Sequence, residues 1–536
     1  MRIRYHLGTL RVILAAAFFT ATASAQQYDL LLRGGQVIDP GNGINARLDV
    51  AVAGDRIAAV QPNILASQAR KVVDVSNLYV VPGLVDLHMH VFGYEGAISA
   101  DENALPAGTT TIVDAGGSGW RTFDKFRHTV IANSQTRVLV LLNIVGKGMV
   151  GEPYESDTED MDPKKTADTI IRNRDVIVGI KTAHFAKPGW TAIDRAVEAG
   201  RRAHVPVMVD DRIFSNMGRT SQQELLEHLR PGDIHTHMYN DRQIELIDRF
   251  TGIVQPWMLA ARERGVLFDV GHGAGSFLWP VAMKAVAQGF LPDTISTDLH
   301  AESRRIQQSD MPNVMSKLML LGMSLEEVLV RSTVNPAKEI GRYPELGTLS
   351  VGRMADIAVL EAEIGVFIFK DSWPAKLLGR KRLENVLTVR AGKIVYERKP
   401  RPPATQDTTI YDLLIKHARI GDHPKEVDIG IIGKRVAVMG PGLKAAHARV
   451  IVEAEGFKAM PAAALGKDGA TGVKPDDPDY AFHHFVAMVK EGRAADFKLV
   501  DAGHVIMIIR GGKVITDDEG LTIPDVSRAG PYSNYR

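Results

Sequence analysis

Residues 81–90 read VPGLVDLHMH, an apolar run that ends in two histidines separated by a single residue. Side chains at positions i and i+2 of a β-strand point to the same side, so the imidazoles of His88 and His90 would face one direction at the end of this strand. Two neutral imidazoles on one side can hold a divalent metal ion. A His-x-His pair also occurs in surface loops, so its meaning depends on the elements around it.

After this stretch, apolar strand-like runs alternate with longer helical segments. The eight runs cover residues 80–87, 110–113, 138–144, 176–180, 205–209, 233–236, 266–270 and 294–297. Eight strands that are buried on both faces and alternate with helices are typical of a (β/α)8 barrel of the TIM type, an α/β fold. We therefore predict a barrel over residues 81–340, with His88 and His90 at the carboxyl end of its first strand, where barrel enzymes place their active sites.

Short strand-like runs bounded by glycine lie on both sides of the barrel. We expect residues 26–80 and 341–398 to form one composite β-sandwich domain. The tail, residues 411–536, repeats features of both flanks: YDLLI at 411–415 resembles YDLLL at 28–32, and GRAAD at 492–496 resembles GRMAD at 352–356. We interpret the tail as a degenerate second copy of the β-domain without a barrel, joined by a linker at 399–410, with chance similarity as the alternative.

The first 25 residues are typical of an export signal. Arg2 and Arg4 precede an apolar run, and Ala23-Ser24-Ala25 is a small-x-small cleavage sequence. We expect a periplasmic or secreted protein that begins at Gln26 and has no membrane association after signal cleavage, with a retained N-terminal anchor as the alternative.

Composition narrows the function classes further. The net charge of +1 provides no electrostatic attraction to nucleic acid, and we expect no nucleic-acid partner. Cysteine is absent, which excludes disulfides and thiolate metal ligands. A metal in this chain must therefore be held by histidine, carboxylate or modified lysine.

The ends of the predicted barrel strands carry a set of motifs that resembles the amidohydrolase superfamily, and most closely its dihydroorotase-like amidohydrolase/deacetylase branch. Besides VPGLVDLHMH, the motifs are AGTTTIVDAG at 107–116, GIK at 179–181, RPGD and TH within 230–237, FDVGHG at 268–273, TDLH at 297–300 and NPA at 335–337. The resemblance covers residues 28–398. It implies a metal-dependent hydrolase that cleaves the amide or ester bond of a small acylated amino or hydroxy acid, or of a cyclic amide.

The resemblance also implies a site with two divalent ions, zinc or alternatively manganese, that share a hydroxide nucleophile. It assigns Lys181 as a carbamate, formed with carbon dioxide, that bridges the ions, and Asp298 as a ligand that also shuttles protons. The remaining implied ligands are His88, His90 and His237, and the candidate substrate contacts are His272 and His300. Alternatives from the residues alone stay open: a lysine extending from a strand end, an aspartate that caps a helix, His235 in place of His237, and an exposed loop histidine at 272.

One position departs from the superfamily pattern. A histidine ligand should follow the fifth strand, but Asp210 and Asp211 stand there. Because carboxylate oxygens also bind zinc and manganese, we expect Asp210 to be the ligand, ahead of His184 and His204. The departure keeps a second function open, a binding protein of reduced activity on the same fold. We also expect a homo-oligomer, in which the tail forms a subunit contact or covers an edge of the β-domain.

Overall fold

The computed structural model describes residues 26–210, 222–240, 246–306, 308–373 and 375–398, and in the tail 411–420, 426–433, 435–444, 448–455, 457–461, 497–501, 504–510 and 513–517. The predicted export signal, the predicted linker at 399–410 and Asp211 lie outside these residues. Within the described residues, no helix combines the length and apolar character needed to cross a bilayer.

The chain begins with five strands that belong to one sheet: β1 (Tyr28–Asp39), β2 (Ile44–Ala53), β3 (Arg56–Gln61), β4 (Ala69–Asp74) and β5 (Tyr79–Pro82). β1 and β2 form an antiparallel hairpin. Its turn ends at Gly43, whose φ of 64° lies in the left-handed region that glycine adopts without a steric penalty. The carboxylate of Asp39 accepts a hydrogen bond from the Gly41 N–H and so closes the turn.

The middle of the chain alternates strands with helices. The strands are β6 (Leu84–Met89), β7 (Thr109–Gly119), β8 (Arg137–Asn143), β9 (Ile177–Ala183), β10 (Val207–Asp210), β11 (Ile234–His235) and β12 (Leu267–Phe268). The helices are α1 (Ala100–Asn103), α2 (Phe123–Thr129), α3 (Pro163–Arg172), α4 (Thr191–Ala203), α5 (Gln222–Glu227), α6 (Pro256–Glu263), α7 (Trp279–Ala287), α8 (Ala301–Ile306), α9 (Met311–Leu320), α10 (Leu325–Ser332) and α11 (Val334–Glu339). The seven strands form one parallel sheet in chain order, the arrangement of a TIM-type barrel.

The segment predicted as the eighth strand closes this sheet without forming a regular ladder. Parallel bridges pair Thr294 with Asp269, beyond β12, and Leu299 with Met89 of β6, so residues 294–299 lie between the two edges. The prediction of a full strand here was wrong. The physical reason is that the backbone N–H groups of Ile295 and Thr297 donate to the Arg331 carbonyl oxygen and the Asp86 carboxylate instead of to a neighbouring strand, and the backbone turns at Asp298, where φ is 46°.

Apolar side chains fill the barrel below the strand ends. One buried cluster consists of side chains from successive strands that pack against residues of the α11 region. The strand residues are Val85, Leu87, Val113, Leu139, Leu141, Val178, Met208 and Ile234. A larger cluster lies between the strands and the helices. Burial of this apolar surface is the main stabilising term for the barrel, and it gives the polar residues at the carboxyl ends of the strands a rigid base.

After α11 the chain returns to the first sheet with β13 (Ile357–Lys370), β14 (Lys376–Arg390) and β15 (Lys393–Glu397). The combined order is β15-β14-β13-β5-β1-β2-β3, with β4 paired to β1. Strands from both flanks of the barrel therefore share one eight-stranded sheet. β5 belongs to this sheet and ends at Pro82, so the barrel begins at β6 rather than at residue 81.

The described part of the tail forms a separate eight-stranded sheet. Its strands are β16 (Leu413–Ile420), β17 (Glu426–Ile432), β18 (Arg435–Gly440), β19 (Ile451–Glu453), β20 (Lys458–Pro461), β21 (Phe497–Asp501), β22 (His504–Arg510) and β23 (Lys513–Asp517). From the opposite edge, the strand order is β23-β22-β21-β20-β16-β17-β18, with β19 paired to β16. This order matches that of the first sheet strand for strand: β16 takes the place of β1, β19 that of β4 and β20 that of β5.

Candidate metal centre

The predicted ligands come from the carboxyl ends of different barrel strands. His88 lies in β6 and His90 follows it, Lys181 lies in β9, and Asp210 is the last residue of β10. His237 lies two residues beyond β11, and Asp298 lies in the segment that closes the barrel. Because parallel strands present their carboxyl ends at one face of a barrel, these separated residues converge.

Two imidazoles and one carboxylate form a first cluster. Oδ1 of Asp298 lies 3.0 Å from Nε2 of His90 and 3.5 Å from Nε2 of His88. One ligand atom from each of these three residues lies within 4.8 Å of the others, and all three residues are buried. This spacing suits a single divalent ion held by two nitrogens and one oxygen.

A second group lies beside the first. Oδ2 of Asp210 is 3.1 Å from Nε2 of His237. Lys181 is fully buried, with its Nζ 3.2 Å from Nε2 of His88, and it pairs with Met208, two residues before Asp210. Lys181 thus contacts the first group and lies on the strand that pairs with the strand ending at Asp210.

Outer hydrogen bonds determine which imidazole nitrogens face the clusters. Thr236 donates its hydroxyl proton to Oδ2 of Asp269, so its oxygen accepts from Nδ1 of His88 at 3.1 Å. Nδ1 of His237 donates to the carbonyl oxygen of Gly271 at 2.6 Å. In each ring Nε2 therefore faces a carboxylate oxygen. Imidazole nitrogen and carboxylate oxygen are donors that divalent ions bind, so the residues fit a metal ion.

Burial and charge act together on the ionisable groups. Burial, followed by the nearby Lys181, holds the pKa of His88 well below its usual value, which keeps its lone pair available. Burial raises the pKa of Asp298, but the interaction with His88 and the hydrogen bonds from His300 and His90 outweigh this effect and hold that pKa well below its usual value.

Burial and neighbouring charges also oppose each other at Asp210 and Lys181, with opposite outcomes. Burial opposes ionisation of Asp210, but His237 outweighs burial and holds the pKa of this carboxylate well below its usual value. Burial lowers the pKa of Lys181 and nearby carboxylates, Asp210 first, oppose that shift. The neutral amine favoured by burial is the form that can react with carbon dioxide.

Three buried aspartates that the sequence analysis left without a role tie the strand ends together. Asp86 accepts from the Thr297 hydroxyl and from the backbone N–H groups of Thr297 and His88, and burial raises its pKa to about 7. Asp114 accepts from the N–H groups of Val91 and Gly117, and Asp269 binds three hydroxyls. A lone aspartate inside an apolar strand run was the signal that could have found them.

The structure separates the other candidate histidines. His300 lies beside Asp298, with Nδ1 2.7 Å from the Asp298 carbonyl oxygen. His235 contacts Gln222 rather than the cluster, so the alternative of His235 as the ligand is not supported. His204 caps the C-terminus of α4 at the opposite end of β10. His184 comes directly after β9, and its Nε2 lies 3.5 Å from Oδ2 of Asp210.

His272 does not have the environment expected for a substrate contact. Its Nε2 lies 2.7 Å from Nζ of Lys317 and its Nδ1 2.9 Å from the Gly273 carbonyl oxygen. The ring is fully buried and stacks on Phe277 at 4.7 Å between centroids. Protein groups therefore engage both ring nitrogens, and the alternative of an exposed loop histidine is wrong.

A cavity opens beside the second group. Its volume is about 420 Å³, and its walls come from loops after β6, β8 and β9, with Tyr94, Glu95, Met149, Val150, Glu152, Glu155, His184 and Phe185 among the lining residues. This volume suits a small organic substrate. His184 connects the cavity to Asp210.

This chain is similar to known proteins of one family. The amidohydrolase family model matches residues 279–395. A deacetylase of Agrobacterium fabrum is 33% identical over 325 residues, which are 58% of this chain and 78% of that protein. A deacetylase of Enterococcus faecalis is 27% identical over 375 residues, 68% of this chain and 99% of that protein.

Solved structures with the same fold include an adenine deaminase and a dihydroorotase. The adenine deaminase is 26% identical with a TM-score of 0.64, over 69% of this chain and all (100%) of that chain. The dihydroorotase is 29% identical with a TM-score of 0.61, over 69% of this chain and 99% of that chain. Together with the strand-end site, these matches define a barrel hydrolase that acts on carbon–nitrogen bonds. The chain belongs to the amidohydrolase superfamily, on its dihydroorotase-like branch, as the sequence motifs predicted.

Proposed function

We propose that this protein is a metal-dependent hydrolase that cleaves the amide or ester bond of a small acylated amino or hydroxy acid, or of a cyclic amide. The observation that carries the proposal is the buried cluster of His88, His90 and Asp298, whose ligand atoms lie within 4.8 Å of one another. The relatives named deacetylases and dihydroorotase support hydrolysis of amide bonds.

His88, His90 and Asp298 would hold one divalent ion, and Asp210 with His237 would hold a second, with zinc expected and manganese as the alternative. Such ions supply Lewis acidity toward a substrate carbonyl and acidify water near neutral pH. His300 lies beside Asp298 and is the remaining candidate substrate contact.

Asp298 is the proposed proton shuttle. Its carboxylate accepts the proton of the attacking water and then donates it to the leaving nitrogen or oxygen. Gly273 leaves one face of the carboxylate open, because a Cβ on this glycine would lie 2.2 Å from Oδ2 of Asp298. The second oxygen is thus available to the reacting groups.

Lys181 is the proposed carbamate. Its neutral amine would add carbon dioxide, with formation of one N–C bond and release of one proton, to give an anion with two oxygens. Two features support this role: Nζ lies against His88 of the first group, and Lys181 pairs with Met208 of β10, two residues before Asp210 of the second. A Lys181→Ala variant should lose activity, and small carboxylic acids should restore part of it.

The test uses full-length protein and a panel of N-acetyl amino acids, O-acetyl hydroxy acids, dihydroorotate and hydantoins. Hydrolysis of at least one substrate should disappear after chelation and return with zinc or manganese. Hydrolysis that is unchanged by chelation would contradict the proposal. A chain that binds substrate analogues but neither holds metal nor hydrolyses the panel would instead be the binding protein that the departure at Asp210 favours.

Location and assembly are proposals on sequence grounds. The arginines and the Ala23-Ser24-Ala25 sequence of the first 25 residues support export to the periplasm or the medium. Cell fractionation tests this location, and size-exclusion chromatography with light scattering tests the proposed homo-oligomer.

A further inference from the structure

His184 occupies a position from which it can complete the group formed by Asp210 and His237. It directly follows β9, and its backbone N–H donates to the carbonyl oxygen of Asp210 at 3.2 Å. Its Nε2 lies 3.5 Å from Oδ2 of Asp210, the same oxygen that faces Nε2 of His237 at 3.1 Å. Two imidazole nitrogens thus approach a single carboxylate oxygen from two different loops.

Nδ1 of His184, the ring nitrogen that faces away from Asp210, has a carboxylate partner, as metal-binding histidines usually do. Nδ1 of His184 lies 2.9 Å from Oε2 of Glu155, which is only 4% exposed. The other oxygen of Glu155 accepts from the Gly151 N–H at 2.8 Å, so the carboxylate is fixed. A carboxylate on Nδ1 orients the ring, fixes the tautomer and leaves the lone pair on Nε2.

The backbone supplies an independent indication. His184 has a φ of 57°, in the left-handed region that a residue with a side chain adopts at a cost of about 1–3 kcal/mol. Such strain persists where the surrounding structure requires it, and it concentrates at functional sites. His237 and Asp298, both proposed ligands, share this conformation, with φ values of 61° and 46°.

We infer that His184 is the ligand that replaces the missing fifth-strand histidine, so that His184, Asp210 and His237 together hold the second divalent ion, with Glu155 as the positioning residue of His184. The inference rests on the proposed function, because it assumes that the first ion is held by His88, His90 and Asp298. The competing explanation is that His184 is protonated and only bridges the carboxylates of Glu155 and Asp210.

The experiment counts metal rather than activity. Full-length protein is stripped with chelator, reloaded with zinc alone or manganese alone, desalted, and analysed by inductively coupled plasma mass spectrometry. The wild-type chain should hold two ions and the His184→Ala variant one. His204→Ala is the matched control, because His204 also has a positive φ, 55°, but lies at the opposite end of β10. It should retain both ions.

A second variant guards against loss of folding. Glu155→Gln keeps an oxygen acceptor for Nδ1, and it should weaken binding of the second ion by about 10–100-fold while the first remains tight. Two ions in His184→Ala, or unchanged affinity in Glu155→Gln, would overturn the inference. One ion in both wild type and His184→Ala would also overturn it, yet leave a one-metal hydrolase standing. A wild-type chain without metal would overturn the proposed function itself.

Discussion

Nζ of Lys317 lies 2.7 Å from Nε2 of His272, and both side chains are fully buried. Burial lowers the pKa of Lys317 to about 7, although Asp371 and Asp310 oppose the shift. Nδ1 of His272 donates to the Gly273 carbonyl oxygen, so Nε2 is the acceptor for Lys317. The lysine in α9 therefore fixes the loop whose glycine borders Asp298.

This lysine should give the folded chain a specific pH dependence. Between about pH 7 and pH 10.5 the unfolded chain keeps the proton on Lys317 and the folded chain has released it, so stability should rise with pH across this window. The slope is at most about 1.4 kcal/mol per pH unit. Lys317→Met removes this contribution. The thermal midpoint of the wild type, relative to that of Lys317→Met, should therefore be higher at pH 9 than at pH 7. Lys284→Met, on the exposed side of α7, is the control, and equal slopes for all three proteins would refute the prediction.

Gly273 should matter for catalysis beyond its backbone conformation. A Cβ there would lie 2.2 Å from Oδ2 of Asp298, so Gly273→Ala should displace the carboxylate and lower kcat by about 100-fold. Gly289 is a matched control, because its φ is also positive, 76°, and nothing lies within 4 Å of its Cβ position. Gly289→Ala controls for the cost of a side chain at a positive φ, and it should keep its activity. Similar kcat values for the two variants would contradict this prediction.

Removal of the charge on Asp298 should affect the chemistry more than the fold. Asp298→Asn keeps the shape of the side chain but cannot accept and return a proton, so kcat should fall by about 10²–10⁴-fold. Steady-state kinetics on the best substrate of the panel, with circular dichroism as the folding check, measures this effect. A decrease smaller than tenfold would argue against Asp298 as the proton shuttle.

Asp210 should control metal preference. An imidazole is a softer ligand than a carboxylate, so Asp210→His should raise the preference for zinc over manganese in the second group. Competition titrations of metal-free protein measure the ratio of the two affinities. An unchanged ratio would indicate that the oxygen of Asp210 does not contact the ion.

A buried ion cluster joins the barrel to the first β-sheet. Asp356 lies 2.6 Å from Nη1 of Arg137 in β8 and 3.1 Å from Nη1 of Arg390 in β14. Asp356→Ala should destabilise the chain by about 3 kcal/mol, because it leaves two largely buried guanidinium groups without their partner. Glu345→Gln, which breaks the exposed pair with Arg353, should cost less than about 1 kcal/mol. Thermal unfolding of the two variants measures both losses of stability. Equal losses would contradict the larger contribution expected of the buried ion cluster.

The sequence by itself determined where the proposed ligands lie along the barrel. Apolar runs indicate strands, and a polar residue at the end of such a run lies at the carboxyl end of its strand. His88, Asp210 and Asp298 could therefore be placed at one face of the barrel without coordinates, and the resemblance to the superfamily supplied their proposed ligand roles. A regular strand does not form at residues 294–297, because the backbone N–H groups of Ile295 and Thr297 donate to Arg331 and Asp86 instead of to a neighbouring strand.

Only the tertiary structure decided which side chains meet across loops. Glu155 and His184 lie on different loops, and no periodic sequence pattern links them. The same holds for Lys317 and His272, which lie on a helix and on a loop. Their contacts depend on loop conformation and on packing between barrel elements, which act over long sequence separations. Local sequence indicates where most strands end, whereas packing between barrel elements brings side chains such as Glu155 and His184 together.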